Sequence, residues 1–115
     1  MGSEDYSAIK PTAATRAFAC GMGCKANVVG SIAMGKNCTT QGSGQAAIAL
    51  GYGASAEGDG AIALGHLVTA KSVGAVALGG AYTESLGIGS LAVGNMAIAQ
   101  NDYAIALGRS AYAKG

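Results

Sequence analysis

Short stretches in which apolar residues alternate with alanine recur along most of the chain. Each stretch reads small residue, apolar residue, alanine, apolar residue, glycine, and an alternation of this kind places successive side chains on opposite faces of a strand. The seven copies are residues 17–21, 31–35, 47–51, 61–65, 75–79, 90–94 and 104–108. The pattern therefore predicts a series of short β-strands and offers no 3.6-residue spacing for a helix.

The closing glycines of these copies are spaced by 14, 16, 14, 14, 15 and 14 residues. A nearly constant spacing is typical of a solenoid, in which each repeat forms one unit that stacks on the next. The two longer spacings place small insertions near residues 41–45 and 79–87. We expect these insertions to form loops that bulge from a regular stack.

A second strand is predicted in each repeat, three and five residues after the closing glycine. These positions hold small residues, such as Ala54 and Ala56, and polar residues such as Ser55 lie between them. The second strand thus has a small inner face and a polar outer face. Together the two strands and their turns predict an all-β, parallel β-roll of about seven rungs over residues 17–115.

The first strand has no polar face, because alanine occupies one side and larger apolar residues occupy the other. The alanine side closes a narrow roll against the second strand, and the larger residues form an outer ridge on the order of 30 Å long. A soluble monomer rarely exposes such a ridge, whereas three ridges that meet on a three-fold axis bury it symmetrically. The predicted homotrimer interface consists of Ile48, Leu50, Ile62, Leu64, Val76, Leu78, Leu91, Val93, Ile105 and Leu107.

The Ala-Ile-Ala-Leu-Gly alternation, with its Gly-x-x-Ala-x-Ala continuation and 14-residue period, resembles the head repeats of YadA-like trimeric autotransporter adhesins. The resemblance covers residues 17–115 and is carried by seven copies. It implies a left-handed parallel β-roll, an obligate homotrimer, and adhesion to a host surface or matrix protein from the bacterial cell surface. The sequence shows no signal peptide, heptad stalk or membrane anchor, so the resemblance concerns the head alone.

A structural virion protein is the alternative that the residues leave open. A similar roll would serve a phage fibre or a capsid or tail decoration at the virion surface, which needs no secretion signal. Residues 1–16 contain the only proline, Pro11, and lack the alternation of a rung. We expect them to form an N-terminal arm or linker that becomes ordered only against a partner, here a virion capsid or tail protein.

Composition and charge narrow the choice of function. Half of the 115 residues are apolar and 20 are glycine, but most of the apolar residues are small, which leaves too little bulk for a thick globular core. A helical bundle or an α/β enzyme is therefore disfavoured. The net charge of +1, without a basic stripe, argues against nucleic acid as a partner, and no run approaches the roughly 20 apolar residues of a membrane span.

The sequence suggests no catalytic, cofactor-binding or metal-binding residue, and we expect a non-enzymatic protein. His66, the only histidine, follows a closing glycine in a polar position, which indicates a solvated surface residue. Cys24 and Cys38 share one inner position of neighbouring rungs, where they favour buried hydrophobes over a zinc site that would need two more ligands. A disulfide between them stays an alternative in an oxidising environment. The candidates for surface binding are Lys36, Tyr52, Arg109 and Tyr112.

Overall fold

The computed structural model describes residues 12–14, 16–42 and 45–114, which contain fifteen short strands, β1 to β15. None of these described residues lies in a helix, so this part of the chain has no helical segment able to span a bilayer. The strands are β1 (Thr12–Ala13), β2 (Phe18–Cys20), β3 (Lys25–Ala26), β4 (Ile32–Lys36), β5 (Thr39–Thr40), β6 (Ile48–Tyr52), β7 (Ser55–Ala56), β8 (Ile62–His66), β9 (Thr69–Ala70), β10 (Val76–Gly79), β11 (Glu84–Ser85), β12 (Leu91–Val93), β13 (Ile98–Ala99), β14 (Ile105–Leu107) and β15 (Tyr112–Ala113).

The strands form two parallel sheets. The even-numbered strands β2 to β14 make a seven-stranded sheet, and the odd-numbered strands β1 to β15 make an eight-stranded sheet. Ile48 pairs with Ile32 on one side and with Ile62 on the other, so equivalent residues of successive rungs form straight columns. The predicted all-β solenoid of about seven turns is confirmed.

The core of the roll is a single layer of small side chains between the two sheets. Ala49 and Ala63 from the first strands and Ala54 and Ala56 from the second strands are fully buried. The largest fully buried side chain of the described residues is Val68. Because the interior groups are this small, the sheets lie close together, and the roll measures only 13 Å along its shortest axis.

Two pairs of hydroxyl residues replace alanine in this core, and each pair satisfies its own hydrogen bonds. Thr40 Oγ1 donates to Ser31 Oγ at 2.8 Å, and Ser31 Oγ donates to the carbonyl oxygen of Val28 at 2.6 Å. The hydroxyl oxygens of Ser85 and Ser90 lie 2.6 Å apart. Since an unpaired buried hydroxyl destabilises a fold, these hydrogen bonds allow the four hydroxyl groups to lie in so thin an interior.

Each rung contains two tight turns, and the described turns contain residues with left-handed backbone geometry. In the turn after the closing glycine, Asn37, Leu67 and Met96 have φ angles of 56°, 56° and 63°. In the other turn, Tyr103 has a φ of 61°. Bulky residues rarely adopt this conformation, and here the stack holds them, as where Leu67 N donates to the carbonyl oxygen of Tyr52 at 2.7 Å.

Two insertions enlarge turns without disturbing the register. Thr40 pairs with Ala56 and Ile48 with Ile62, although seven residues separate Thr40 from Ile48 and only five separate Ala56 from Ile62. The second insertion adds one residue to the turn at 80–82. Both lie where the repeat spacing predicted them.

The eight-stranded sheet begins before the first predicted rung. Thr12–Ala13 of β1 pairs in parallel with Lys25–Ala26 of β3, and Ala14 N donates to the carbonyl oxygen of Ala26 at 2.7 Å. The sheet thus extends to residues on the N-terminal side of the expected boundary between residues 16 and 17. Residues 1–11 and 15 of the expected N-terminal arm lie outside the described residues.

Candidate functional site

The seven-stranded sheet turns its larger apolar side chains outward, opposite the alanine interior. In β8 the central Ala63 is buried, while Ile62 and Leu64 on either side of it remain partly exposed. The same arrangement in every strand of this sheet creates two outer columns, which we call the apolar face. Its columns are Phe18, Ile32, Ile48, Ile62, Val76, Leu91 and Ile105, and Cys20, Met34, Leu50, Leu64, Leu78, Val93 and Leu107.

All ten residues predicted to form an interface lie on the apolar face. Ile105 and Leu107 in the last rung are 61% and 62% exposed, and Phe18 in the first rung is 53% exposed. Between these ends, the apolar residues are shielded only in part, by their neighbours in the same columns. No element of the described chain packs over this face, so it is a continuous apolar surface of the kind that usually marks an interaction site.

The outer face of the eight-stranded sheet is polar for most of its length. One column runs through Lys25, Thr39, Ser55, Thr69 and Glu84 on neighbouring strands. The predicted small inner face and polar outer face of the second strands are thus confirmed for these rungs. The two broad surfaces of the roll are chemically different, one apolar and one polar.

Three side chains that follow closing glycines are in contact along one edge of the roll. Lys36, Tyr52 and His66 pair in register at the ends of β4, β6 and β8. The Lys36 ammonium lies 5.3 Å from the centroid of the Tyr52 ring, which is a cation–π distance. The Tyr52 and His66 ring centroids are 5.1 Å apart at an interplanar angle of 72°, an edge-to-face pair. We call these three exposed residues the cation–aromatic row.

The structure brings together two of the four residues predicted for surface binding. Lys36 and Tyr52 are in contact, whereas Arg109 follows the last closing glycine, three rungs beyond His66, and Tyr112 lies on the outer face of the other sheet. His66 is exposed, as expected, but it also packs against Tyr52. Lys36, Tyr52 and His66 each follow the closing glycine of successive repeats, and this shared position in the sequence indicates that they are neighbours.

Cys24 and Cys38 lie in the interior of the roll, as predicted. Both are fully buried free thiols, and Cys38 Sγ donates to the carbonyl oxygen of Gly51 at 3.0 Å. Burial raises the pKa of the Cys38 thiol above its usual value, and the neighbouring Cys24 thiol raises it further. The described residues bring together no group of three His, Cys, Asp or Glu side chains able to hold a metal ion.

Comparison with known proteins agrees with this architecture. The sequence profile of the YadA head domain repeat matches the chain twice, at residues 43–66 and 85–111. No match was found among the curated proteins. Each matched segment contains two of the alternating strands and their closing glycines, which the structure stacks as neighbouring rungs. The rungs in these two segments of the parallel roll are therefore similar to YadA head domain repeats.

Proposed function

We propose that the chain is the head module of a trimeric adhesin at a bacterial cell surface. Three copies associate through the apolar face, and the assembled head attaches the cell to a host surface or to a matrix protein. The observation that supports this proposal is the apolar face itself, a surface of two uninterrupted columns on a roll built from adhesin-type repeats. The protein acts by binding and catalyses no reaction.

The shape of the apolar face favours an assembly whose axis runs along the roll. Its columns extend through every rung of the seven-stranded sheet, so three parallel copies set each rung against the same rung of both partners. Apolar residues then meet apolar residues along the full length, and the interface closes without leaving a free copy of the same surface. The polar outer face of the eight-stranded sheet remains in water.

The cation–aromatic row is the proposed ligand contact on this head. Lys36, Tyr52 and His66 lie at strand ends, beyond the closing glycines and therefore outside the two apolar columns. The row offers one ammonium charge beside two exposed rings, which suits a carboxylate or sulfate group carried by a matrix protein. Arg109 and Tyr112 are proposed as further exposed contacts, separate from the row.

The test measures assembly and attachment on the same preparation. Light scattering of the purified chain should give three times the 11.1 kDa chain mass. Fluorescent beads coated with the chain should adhere to reconstituted basement membrane and to cultured epithelial cells more strongly than beads coated with albumin. A stable monomer would contradict the trimer, and trimer-coated beads that adhere no better than albumin beads would contradict attachment.

A further inference from the structure

The two buried cysteines occupy equivalent positions of adjacent rungs at the N-terminal end of the roll. Lys25 pairs with Thr39, and Lys25 N donates to the carbonyl oxygen of Cys38 at 2.8 Å. Cys24 and Cys38 each come one residue before this pair, so they share a column. Neighbouring strands place such Cα atoms about 4.8 Å apart, inside the range of about 4.4 to 6.8 Å that a disulfide spans.

We propose that Cys24 and Cys38 form an intrachain disulfide when the chain folds in an oxidising environment. Both side chains point into the same thin interior and are fully buried. Cys20, the third cysteine, lies on the outer apolar face and is exposed. The sheet therefore separates Cys20 from the buried pair, which leaves Cys24 and Cys38 only each other as partners within the chain.

The proposed bond lies where the stack supports the roll least. Among the described residues, the seven-stranded sheet ends at β2, and the two residues of β1 continue the other sheet beyond β3. In this rung β3 has β1 and β5 as neighbours, but β2 has only β4 among the described strands. A rung held on one side in one of its sheets can shift by about a few tenths of an ångström, which brings the Cβ atoms of Cys24 and Cys38 to disulfide separation. Further along this column, Ala54 and Ala97 carry no thiol. The disulfide would thus join the first rung to the second and leave the remaining rungs without such a bond.

The oxidation uses a small-molecule disulfide, such as oxidised glutathione, as electron acceptor. The thiolate of one cysteine attacks a sulfur of the oxidant and releases one glutathione thiolate, which leaves a mixed disulfide. The other cysteine then attacks the protein-bound sulfur and releases the second glutathione. Overall, two protein thiols lose two protons and two electrons, and one glutathione disulfide becomes two thiols.

Burial decides when this exchange takes place. Because both sulfurs are inaccessible in the folded roll, the oxidant reaches them before the first rungs close or while those rungs open. The closed roll then shields the completed bond from external reductants in the same way. The disulfide is accordingly a stabilising bond formed during folding and not a rapidly reversible switch.

The experiment refolds the full chain, as the Cys20→Ala variant, from denaturant in a mixture of oxidised and reduced glutathione. The product should lose the mass of two hydrogen atoms. Trypsin separates the two cysteines into residues 17–25 and 37–71, so a non-reducing digest should contain these peptides joined. Because the bond closes a loop of about 15 residues, the oxidised protein should melt on the order of 10 °C higher than the same protein after reduction.

The matched control is the triple variant Cys20→Ala/Cys24→Ala/Cys38→Ala, which fills the column with the residue that Ala54 already provides. Its melting temperature should not change between oxidising and reducing buffer. Oxidised, refolded Cys20→Ala protein that keeps two free thiols, or that carries glutathione on either cysteine, would overturn the proposal. A Cys24–Cys38 bond that forms only with loss of the β-sheet circular dichroism signal would overturn it as well.

Discussion

A methyl group placed on Gly35 would lie 1.9 Å from the carbonyl oxygen of Gly51, its partner on the next strand. The same holds one rung further on, where a methyl group on Gly51 would lie 2.1 Å from the carbonyl oxygen of Gly65. These glycines also have φ angles of 121° to 133°, which L-residues avoid. The closing glycines thus make close backbone contacts between rungs, and the stacking of the rungs explains their regular spacing in the sequence.

Gly51→Ala should destabilise the roll severely, because the new methyl group meets backbone that cannot move without breaking the neighbouring rung. We expect a loss of about 3 to 5 kcal/mol in the free energy of unfolding, measured by denaturant titration. Gly60→Ala is the matched control, since a methyl group there meets nothing within 4 Å. That variant should lose only about 1 kcal/mol, from its positive φ. Equal losses in the two variants would show that the Gly51 contact is unimportant.

Leu64→Asp should abolish the proposed trimer. Removal of a leucine that the proposed interface buries costs about 2 to 5 kcal/mol, and the variant also places a charge from each chain in that apolar contact. The control is Thr39→Asp, on the polar outer face beside Lys25. Light scattering should show a trimer for Thr39→Asp and none for Leu64→Asp. A trimeric Leu64→Asp protein would mean that the apolar face is not the interface.

The sequence predicted the solenoid because its main determinants are local and repeated. Ala63 between Ile62 and Leu64 defines an inner and an outer face, since adjacent strand residues point in opposite directions. The 14-residue period then aligns Ala63 with Ala49, because a parallel register with one buried face allows no slip. The interior, the apolar face and the positions of both insertions all follow from these two facts.

Other features depend on contacts between rungs that no single repeat reveals. Leu67 and Met96 adopt left-handed backbone geometry that their own preferences oppose. Thr12–Ala13 forms a strand because β3 presents a free edge to it, although its own sequence has no repeat pattern. The contact of His66 with Tyr52 depends on the strand register, which pairs the two residues, as well as on their equivalent positions in the repeat. In each case the stack, and not the local sequence, decides the conformation.

Tyr52→Ala should weaken attachment without changing the fold or the assembly. The substitution removes the ring that contacts both the Lys36 ammonium and the His66 imidazole, so it disrupts the whole cation–aromatic row. Tyr103→Ala is the control, because it removes an exposed tyrosine from the turn between β13 and β14, away from the row. Beads coated with the Tyr52→Ala protein should adhere several-fold less to basement membrane than beads coated with the Tyr103→Ala protein. Equal adhesion would remove the row from the proposed binding surface.

In the reduced, folded protein, Cys24 and Cys38 should react slowly with a thiol reagent. Both sulfurs are fully buried, and the raised pKa of Cys38 keeps its reactive thiolate scarce. Mass spectrometry should locate slow labelling at these two sites, with complete reaction only in denaturant. Rapid labelling of both without unfolding would place their column outside the roll and reverse the assignment of inner and outer faces.

The reduced protein should lose stability as the solution becomes alkaline, in part through Cys38. Burial raises the pKa of this thiol in the folded state, so the unfolded chain releases the proton first, above about pH 8.5. Below that pH the contribution of the protonated Cys38 thiol to the free energy of unfolding is fully present. It declines as the pH rises through the pKa of the folded state, because the unfolded state then binds fewer protons than the folded state. Melting temperatures under reducing conditions should therefore fall more steeply between about pH 8 and pH 10 for Cys20→Ala than for Cys20→Ala/Cys38→Ala. The two proteins differ at residue 38 alone, so parallel curves would show that ionisation of Cys38 is not linked to folding.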